Sequence, residues 1–319
     1  MMPKAVFLNI TNKCNLHCKH CYLDSGKELD DELSRDEWFS VIDSLKEGGV
    51  DHVRINGGEP LMRDDCTNIM RYADELGMKT SIVSNSLLYD AEIFDRMPKK
   101  ASLNFSVDGA SPGTHDYMRN SPGLFNHLVK TIKEARGRGF DVRTFTVMSK
   151  VNVHEAEGIV DLLDGLSVSS AALFYLSPFG RAAEQANLAI PPKEWMDVLN
   201  RVSDHVKKTR PSLKLFVEPT FEGYFKGKPA CSLYNGNICS IGPRGDVYFC
   251  SAMIDGTGQY SLGNVKEKSF SDIWNDASAR KRIADLAKDK GTCTAYQLRC
   301  GSQGCEPKPQ CYMHWEEVR

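Results

Sequence analysis

The sequence predicts an α/β protein whose strands form a parallel sheet or barrel, followed by a smaller cysteine-rich α+β domain. Up to about residue 176, short apolar runs rich in β-branched residues alternate with longer amphipathic runs. This alternation is typical of right-handed β-α-β crossovers, which place successive strands parallel to one another. Beyond residue 226 the chain becomes rich in glycine and cysteine. Two domains are therefore expected.

Short apolar runs in the first part are predicted as strands, and their lengths suit strands that are buried on both faces. They are Ala5–Ile10, His52–Asn56, Lys79–Ser84, Ala101–Val107, Asp141–Met148 and Ser170–Leu176. Six strands are too few for a complete eight-stranded barrel.

The amphipathic runs between these strands are predicted as helices, namely Ser34–Glu47, Asp65–Leu76, Leu124–Arg138 and Val153–Leu163. Ser34 is followed three residues later by Glu37, which is the pattern of a capping box. Pro191 and Pro192 are expected to open a further helix that reaches about Lys208.

In the cysteine-rich part, Ile238–Ile241 and Asp246–Phe249 flank a Gly-Pro-Arg-Gly turn and predict a hairpin. A helix is predicted over about Ser271–Ala287. The expected organisation is a core domain over residues 1–190, a connecting helix and linker over 191–225, and a small domain over 226–319. Because that last domain is too small to bury a core of its own, metal ligation is expected to stabilise it.

Composition excludes several classes of protein. The chain has 319 residues, a net charge of −2, 41% hydrophobic residues and 26% charged residues, which is ordinary for a globular protein. Near-neutral charge gives no basic footprint for nucleic acid or an anionic membrane. The sequence has neither a signal-peptide run nor a membrane-spanning apolar run, so a cytoplasmic protein is expected.

The 11 cysteines are the unusual feature. All but Cys66 fall into two groups, Cys14, Cys18 and Cys21 near the start and Cys231, Cys239, Cys250, Cys293, Cys300, Cys305 and Cys311 near the end. A cytoplasmic chain of this size has no need of disulfides, so clustered thiols indicate metal or iron–sulfur ligands.

The first group has the spacing C-x3-C-x2-C directly after the first predicted strand. Three thiolates on one tight loop can hold three irons of a cubane cluster and leave the fourth iron open to a substrate or cofactor. The alternative is a zinc site completed by His17 and His20, although structural zinc usually takes four protein ligands with paired C-x2-C spacing.

This motif resembles that of the radical S-adenosylmethionine (SAM) superfamily, and further motifs match in order. Gly57-Gly58-Glu59-Pro60 ends the second strand and resembles the segment that contacts the methionine moiety of SAM. The resemblance implies a partial (β/α)6 barrel over roughly residues 5–190. The alternative for Gly57-Gly58 is a tight strand-to-helix turn, and the alternative for Asp108-Gly109 is an ordinary turn.

The resemblance implies further SAM contacts at the ends of later strands. Ser84 and Asn85 end the third strand, where the family often has T/S-N-G, and Ser106 and Asp108 belong to an S-x-D-G segment near the ribose. Leu176 ends the sixth strand where adenine could pack, with a structural role as its alternative. Asn152 is interpreted as structural. His115 and Arg119 are expected in a loop or short helix that faces the same end of the strands, and they are interpreted as surface residues.

The C-terminal cysteines resemble the SPASM extension, which holds auxiliary 4Fe–4S clusters. By their order, Cys231, Cys239, Cys250 and Cys305 are assigned to one cluster, and Cys293, Cys300 and Cys311 to a second. The second cluster then lacks one cysteine ligand, and Tyr296 stands where the family has its missing cysteine. A single auxiliary cluster and a zinc ribbon remain as alternatives. Cys66 is interpreted as an inert buried thiol or an eighth ligand.

Together these resemblances imply an enzyme that reductively cleaves SAM to a 5′-deoxyadenosyl radical and removes hydrogen from a substrate. The SPASM resemblance favours a peptide substrate, such as a ribosomal precursor that is cross-linked, epimerised or oxidised. A tetrapyrrole of a haem pathway is the alternative substrate, and a non-catalytic iron–sulfur or zinc-stabilised protein is the alternative class. An electron donor such as flavodoxin or ferredoxin is implied as a partner.

Overall fold

A single mixed sheet organises the chain. The computed structural model describes residues 2–27, 29–176, 179–217, 238–254, 256–286 and 316–317. Within them the strands form an 11-stranded sheet in the order β10-β9-β8-β1-β2-β3-β4-β5-β6-β7-β11. Strands β1 to β7 are mutually parallel neighbours, so their carboxyl ends meet at one edge.

The seven parallel strands alternate with helices along the chain. In order, these elements are β1 (Ala5–Asn9), α1 (Arg35–Glu47), β2 (His52–Asn56), α2 (Cys66–Glu75), β3 (Lys79–Ser84), α3 (Ala91–Arg96), β4 (Ser102–Ser106), α4 (Pro112–Arg119), α5 (Leu124–Gly137), β5 (Asp141–Met148), α6 (Ala156–Gly165), β6 (Ser170–Tyr175), α7 (Pro192–Thr209) and β7 (Lys214–Val217). The six predicted strands are confirmed to within about one residue at most ends, and Ser34 forms the predicted capping box with Glu37.

The parallel sheet is curved around a polar interior. On β2, Val53 and Ile55 are fully buried in the apolar core, whereas Arg54 between them faces the opposite side. The guanidinium carbon of Arg54 lies 5.4 Å from the ring centre of Phe145 on β5. Because β5 is three strands away from β2 in the sheet, this contact must cross its concave side. We call the space enclosed by that concave side the lumen.

Several elements differ from the sequence-based expectation. Helix α3 was not predicted, and the segment of α4 was expected as a loop or short helix, because each is shorter than the windows in which helical periodicity is recognisable. The segment 191–225, expected as a connecting helix and linker, contributes the expected helix as α7 and then β7, which pairs with β6 in the same parallel sheet. Its helix ends where Arg210 adopts a left-handed conformation with φ of 51°.

The described C-terminal elements extend the sheet at both of its edges. They are β8 (Ile238–Ile241), β9 (Asp246–Tyr248), β10 (Gly263–Asn264), α8 (Phe270–Asn275), α9 (Ala277–Leu286) and β11 (Glu316–Glu317). The predicted hairpin is present as antiparallel β8 and β9, and β8 pairs in parallel with β1. The one predicted helix over 271–287 is divided in two at Asp276, whose backbone is extended.

The described part of the C-terminal region has its own aromatic packing. Trp274 on α8 is fully buried, and its ring lies 5.6 Å from that of Phe249 and 6.0 Å from that of Phe270. Within the described residues, no helix combines the length and apolar character needed to cross a bilayer.

Candidate functional site

The loop after β1 brings the first three cysteines together. Cys14, Cys18 and Cys21 pack in one small apolar cluster with Leu16 on the same loop and Leu124 at the start of α5. The Cys21 amide donates to the Cys18 carbonyl at 3.3 Å, which closes the loop into a turn. The short spacing of the motif therefore places all three thiols on one side of the sheet edge.

The turn after β2 supports this loop through backbone contacts. The amides of Gly58 and Glu59 donate to the carbonyls of Thr11 and Lys13 at 2.9 and 2.8 Å. A Cβ atom at Gly58 would lie 2.1 Å from the Lys13 carbonyl oxygen, and one at Gly57 would lie 2.4 Å from that of Thr11. Glycine is therefore required at both positions by close approach to the cysteine loop.

Glu59 anchors the same turn from inside. Its carboxylate is fully buried and accepts hydrogen bonds from the Ser84 hydroxyl at 2.9 Å and the Asn85 amide at 2.8 Å. Burial raises the pKa of Glu59 to about 7, although these hydrogen bonds oppose the shift. Both carboxylate oxygens thus join the ends of β2 and β3, and the predicted contact of this turn with SAM stays a prediction.

The end of β3 contacts the cysteine loop directly. The Asn85 side-chain amide donates to Asn15 Oδ1 at 2.8 Å. Ser86, which follows it, has φ of 78°, a left-handed conformation that favours glycine. This explains in physical terms why the resembling segment often carries glycine there, and the predicted role of Ser84 and Asn85 toward SAM stays a prediction.

Asp108, after β4, is the centre of a buried ionic network. Its Oδ2 atom lies 2.6 Å from Arg119 Nε and 3.2 Å from His20 Nε2, and its Oδ1 atom accepts from the Val147 amide at 2.8 Å. Burial alone would raise the pKa of Asp108, but Arg119 and His20 outweigh it and hold that pKa well below its usual range. Arg119 in turn donates to Cys18 Sγ at 3.6 Å.

The interpretation of His115 and Arg119 as surface residues was wrong. His115 is fully buried and its Nδ1 accepts the Asp108 amide at 3.0 Å, while the Arg119 side chain is 11% exposed. The two residues are four apart on α4, so they share the helix face that packs against the site. That spacing was the available signal, but the sequence left open whether the segment is a loop or a short helix.

Sequence reasoning also missed Arg181. Its Nε donates to the Cys18 carbonyl at 3.1 Å, and its Nη1 contacts Asp24 at 2.6 Å and the Ser25 carbonyl at 2.8 Å. Arg181 therefore ties the cysteine loop to its own C-terminal continuation. No motif surrounds this residue in the sequence.

The three thiols are suited to binding iron, whose positive charge would stabilise them as thiolates. Burial raises the pKa of Cys14 to about 12, and the nearby Cys18, Glu59 and Cys21 groups also raise it. Thiols that disfavour one another's ionisation bind as thiolates only beside a cation, and iron provides it. Among the described residues, no three His, Cys, Asp or Glu side chains converge on a single-ion site. His20, an alternative zinc ligand, is paired with Asp108.

The other predicted site residues are placed as follows. Asn152 is fully buried and donates to the Asp108 and Val147 carbonyls, which is a structural role. Leu176 packs in a small apolar cluster with Ala182 and Leu188, and its contact with adenine stays a prediction. Ser106 ends β4 and is buried, and Pro60 opens the short 3-10 turn after Glu59.

Of the C-terminal cysteines, the structure describes two. Cys239 on β8 is fully buried, and burial together with the nearby Cys250 raises its pKa well above its usual value. The remaining predicted ligands, and Tyr296, lie outside the described residues: Cys231, Cys293, Cys300, Cys305 and Cys311. Cys66 lies at the start of α2 inside the apolar core, where the interpretation as an inert thiol places it.

The partial burial of His52, the first residue of β2, leads us to expect a pH dependence of stability. Burial lowers its pKa to about 4, and the positive charges of Arg54 and Arg143 add to the shift. An unfolded histidine titrates near 6.5, so the unfolded chain binds a proton that the folded chain does not. This contribution to stability is therefore present above about pH 6.5 and is lost as the pH falls toward about 4.

Substituting His52→Gln is expected to flatten the fall in unfolding free energy between about pH 7 and pH 5, measured by urea denaturation under anaerobic conditions. The exposed His154 provides a matched control, because His154→Gln should keep the wild-type slope. A wild-type slope in the His52 variant would show that this histidine does not contribute to it.

Two family models match the chain. The radical SAM superfamily model matches residues 8–163, which include the cysteine loop, the Glu59 turn and Asp108. The SPASM model, described as an iron-sulfur cluster-binding domain, matches residues 231–301.

Curated relatives span nearly the whole chain. An AdoMet-dependent heme synthase and an Fe-coproporphyrin III synthase, both from Methanosarcina barkeri, are 26% and 29% identical. Their alignments cover 96% and 93% of this chain and 92% and 79% of the relatives. A PqqA peptide cyclase from Bradyrhizobium diazoefficiens is 24% identical over 93% of this chain and 80% of its own.

A solved structure has the same fold. Streptococcus suis SuiB, bound to its precursor peptide SuiA, superposes with a TM-score of 0.78 at 18% identity, over 98% of this chain and 75% of its own.

The cysteine loop, its supporting strand ends and the curved parallel sheet define a radical SAM enzyme. The chain belongs to the radical SAM superfamily, and the match over residues 231–301 places it among those members that carry a SPASM domain. Its cofactors are accordingly SAM and iron–sulfur clusters bound by these two domains.

Proposed function

We propose that this protein reductively cleaves SAM and uses the resulting 5′-deoxyadenosyl radical to oxidise a peptide substrate. The observation that carries the reaction is the arrangement of Cys14, Cys18 and Cys21 on one loop at the carboxyl edge of the sheet. Three ligands leave one iron of a 4Fe–4S cluster open, and that cluster, when bound, supplies one electron to the sulfonium of SAM.

The protein residues position and shield this reaction. The backbone of Gly58 and Glu59 and the side chain of Arg181 hold the cysteine loop in place. Arg119 donates to Cys18 Sγ, and a cation beside a thiolate ligand shifts cluster potential upward. Phe7 and Phe145 line the lumen. Apolar rings there help to exclude water from a reactive carbon radical.

One electron enters from a donor of the flavodoxin or ferredoxin class, and the C5′–S bond of SAM breaks to give methionine and the 5′-deoxyadenosyl radical. That radical takes one hydrogen atom from a substrate C–H bond and becomes 5′-deoxyadenosine. The substrate radical then loses one electron and gives up one proton to solvent, and an auxiliary cluster, when bound by the SPASM domain, would supply the acceptor for that electron.

A peptide substrate is supported by the kinds of protein that resemble the chain. They include a peptide cyclase, two mycofactocin maturases, a subtilosin biosynthesis protein, and SuiB with its precursor peptide. A tetrapyrrole is the second candidate, because the haem-pathway relatives are 26–29% identical and the peptide-related ones 24–27%.

The substrate classes are separated by one mass-spectrometric experiment. Reduced, reconstituted protein is incubated with SAM and either the product of a short open reading frame beside its gene or Fe-coproporphyrin III. Loss of two hydrogens from the peptide supports the first proposal, whereas loss of carbon dioxide or a side-chain fragment from the porphyrin supports the second. Unchanged masses beside abundant 5′-deoxyadenosine would reject both substrates.

Iron content tests the auxiliary clusters separately. Because the chain has two separated groups of cysteines, anaerobically reconstituted protein is expected to bind clearly more than four irons and four sulfides per chain. Counts near four would reject any auxiliary cluster, and zinc bound in the C-terminal half would identify a zinc ribbon instead.

A further inference from the structure

Arg54 is a cation inside the lumen that has no ionic partner in the described structure. Among the residues that the structure describes, no carboxylate lies within ion-pair distance of it, and its one hydrogen bond is from Nε to Ser81 Oγ at 3.4 Å. Burial and the neighbouring charge of Arg143 lower the pKa of Arg54 to about 10, so the guanidinium stays protonated at neutral pH. An unpaired, partly buried guanidinium is costly unless a ligand completes it.

Two aromatic rings hold this guanidinium in place. Its central carbon lies 4.8 Å from the ring centre of Phe7 on β1 and 5.4 Å from that of Phe145 on β5. Stacking against rings orients the planar group without neutralising it, so its outer N–H donors remain available to a bidentate acceptor. Phe7 and Arg54 are register partners on adjacent strands, which makes the arrangement part of the sheet itself.

The surrounding charges favour an anion. Arg143 is already paired with Asp141, at 2.8 Å between Nη2 and Oδ2, so the two roughly cancel. Asp141 also accepts a hydrogen bond from the Ser102 hydroxyl at 2.8 Å. His52, on the same face of β2, shares Ser81 Oγ at 2.9 Å and is neutral at pH 7 because burial lowers its pKa. Among the described side chains of this region, Arg54 is therefore the partly buried cation without a carboxylate partner, whereas Lys79, whose positive charge also acts on His52, is exposed.

Unsatisfied amide oxygens lie further along the same face, toward the cysteine loop. Within the described part of the chain, Asn9 Oδ1 and Asn56 Oδ1 are buried without a hydrogen-bond partner. These residues are register partners at the ends of β1 and β2, two positions beyond Phe7 and Arg54. Buried acceptors of this kind are normally satisfied, so a ligand that donates hydrogen bonds there would complete them.

We propose that Arg54 binds an alkyl carboxylate of the substrate within the lumen, between Phe7 and Phe145. The Asn9 and Asn56 amides then accept hydrogen bonds from the part of the substrate nearer the cysteine loop. The Asn9–Asn56 pair lies two strand residues beyond the Phe7–Arg54 pair, which corresponds to about 7 Å. A substrate anchored by its carboxylate at Arg54 thus presents a carbon several bonds away to the radical formed at the edge of the sheet. This assignment deepens the proposed function and rests on it for the identity of the reaction.

The test compares probes with and without the carboxylate. Fe-coproporphyrin III is paired with its methyl ester, and the blocked peptide acetyl-Ala-Glu-Ala-amide is paired with its glutamine counterpart. Dissociation constants are measured by equilibrium titration of the anaerobic holo-protein, for wild type and for Arg54→Gln. The wild-type protein is expected to prefer the carboxylate probe of one pair by at least about tenfold, and Arg54→Gln is expected to lose that preference.

The pair that shows the preference identifies the source of the carboxylate, a porphyrin propionate or an acidic peptide side chain. Arg54→Lys keeps the charge without the planar fork and should retain part of the preference. The matched control is Arg143→Gln, which removes a lumen cation that Asp141 already neutralises and should keep the preference. An equal loss of the carboxylate preference in Arg54→Gln and Arg143→Gln would show a general effect of the electrostatic potential in the lumen. That result would overturn the assignment.

A wild-type protein that prefers neither carboxylate, or an Arg54→Gln variant that keeps the wild-type preference, also overturns it. Formation of 5′-deoxyadenosine is measured in the same preparations to separate this inference from the proposed function. SAM cleavage without a carboxylate preference rejects the role of Arg54 alone. Absence of SAM cleavage rejects the proposed reaction, while the binding comparison still decides what Arg54 binds.

Discussion

Replacing Cys14, Cys18 and Cys21 together with alanine is expected to reduce 5′-deoxyadenosine formation from SAM to the level of a protein-free control. The three thiols pack together on one loop. Because they are the proposed ligands of a cluster with one open iron, their removal should abolish reductive cleavage. The readout is chromatographic quantification of 5′-deoxyadenosine after reduction with dithionite. The absorbance and electron paramagnetic resonance signals of the C-terminal clusters should persist.

Cys66 provides the matched control. It lies in the apolar core at the start of α2, so Cys66→Ala is expected to keep SAM cleavage while it lowers stability modestly. Continued 5′-deoxyadenosine formation in the triple variant would reject the assignment of the site. Loss of all iron–sulfur signals from the triple variant would show instead that the two groups of cysteines do not bind clusters independently.

The second large effect concerns Asp108. Asp108→Asn removes the carboxylate that pairs with Arg119 and His20 and leaves the buried guanidinium of Arg119 without its counter-charge. Breaking a buried ion pair in this way is expected to lower the unfolding free energy by about 3–5 kcal/mol. Chemical denaturation of the anaerobic holo-protein, followed by circular dichroism, measures that change.

An exposed pair gives the comparison for Asp108. Asp36 lies 3.0 Å from Arg35 at the start of α1, and its side chain is 79% exposed, so Asp36→Asn should change stability by less than about 1 kcal/mol. An equally small change for Asp108→Asn would contradict the importance of the buried network. Since the pKa of Asp108 is held below its usual range, its contribution should be present above about pH 4 and be lost as the pH falls further.

Much of the site was predictable because its residues are close in sequence to strand ends. The six strands carry strong β-branched patterns, and parallel strands bring their carboxyl ends to one edge. Cys14, Glu59, Asn85 and Asp108 each follow such an end, so their convergence in space follows from topology alone.

The residues that were missed reach the site by other routes. Arg119 lies on α4, an eight-residue helix that is too short for its periodicity to be recognised. Arg181 lies in a short 3-10 helix, 163 positions away from Cys18. The role of Glu59 as an internal anchor depends on side-chain direction, which a motif does not specify. Arg54 was part of a predicted strand, but its missing partner becomes apparent only once the sheet curves and Phe145 meets it.

The β7 strand illustrates a further limit. Its four residues, Lys214–Val217, follow a proline-bounded helix, and this pattern is typical of a linker. Pairing with β6 makes it a strand, and that contact is tertiary rather than local. The extension of the sheet by β8 on the other side arises in the same way, from register with β1.

The central claim, that this chain directs one electron into SAM at the Cys14–Cys18–Cys21 loop, is tested most directly by product analysis of the reduced wild-type protein. Anaerobically reconstituted enzyme, SAM and dithionite should yield 5′-deoxyadenosine and methionine in equal amounts, well above an unreduced sample. Formation of neither product by protein that carries a full complement of iron and sulfide would contradict the claim.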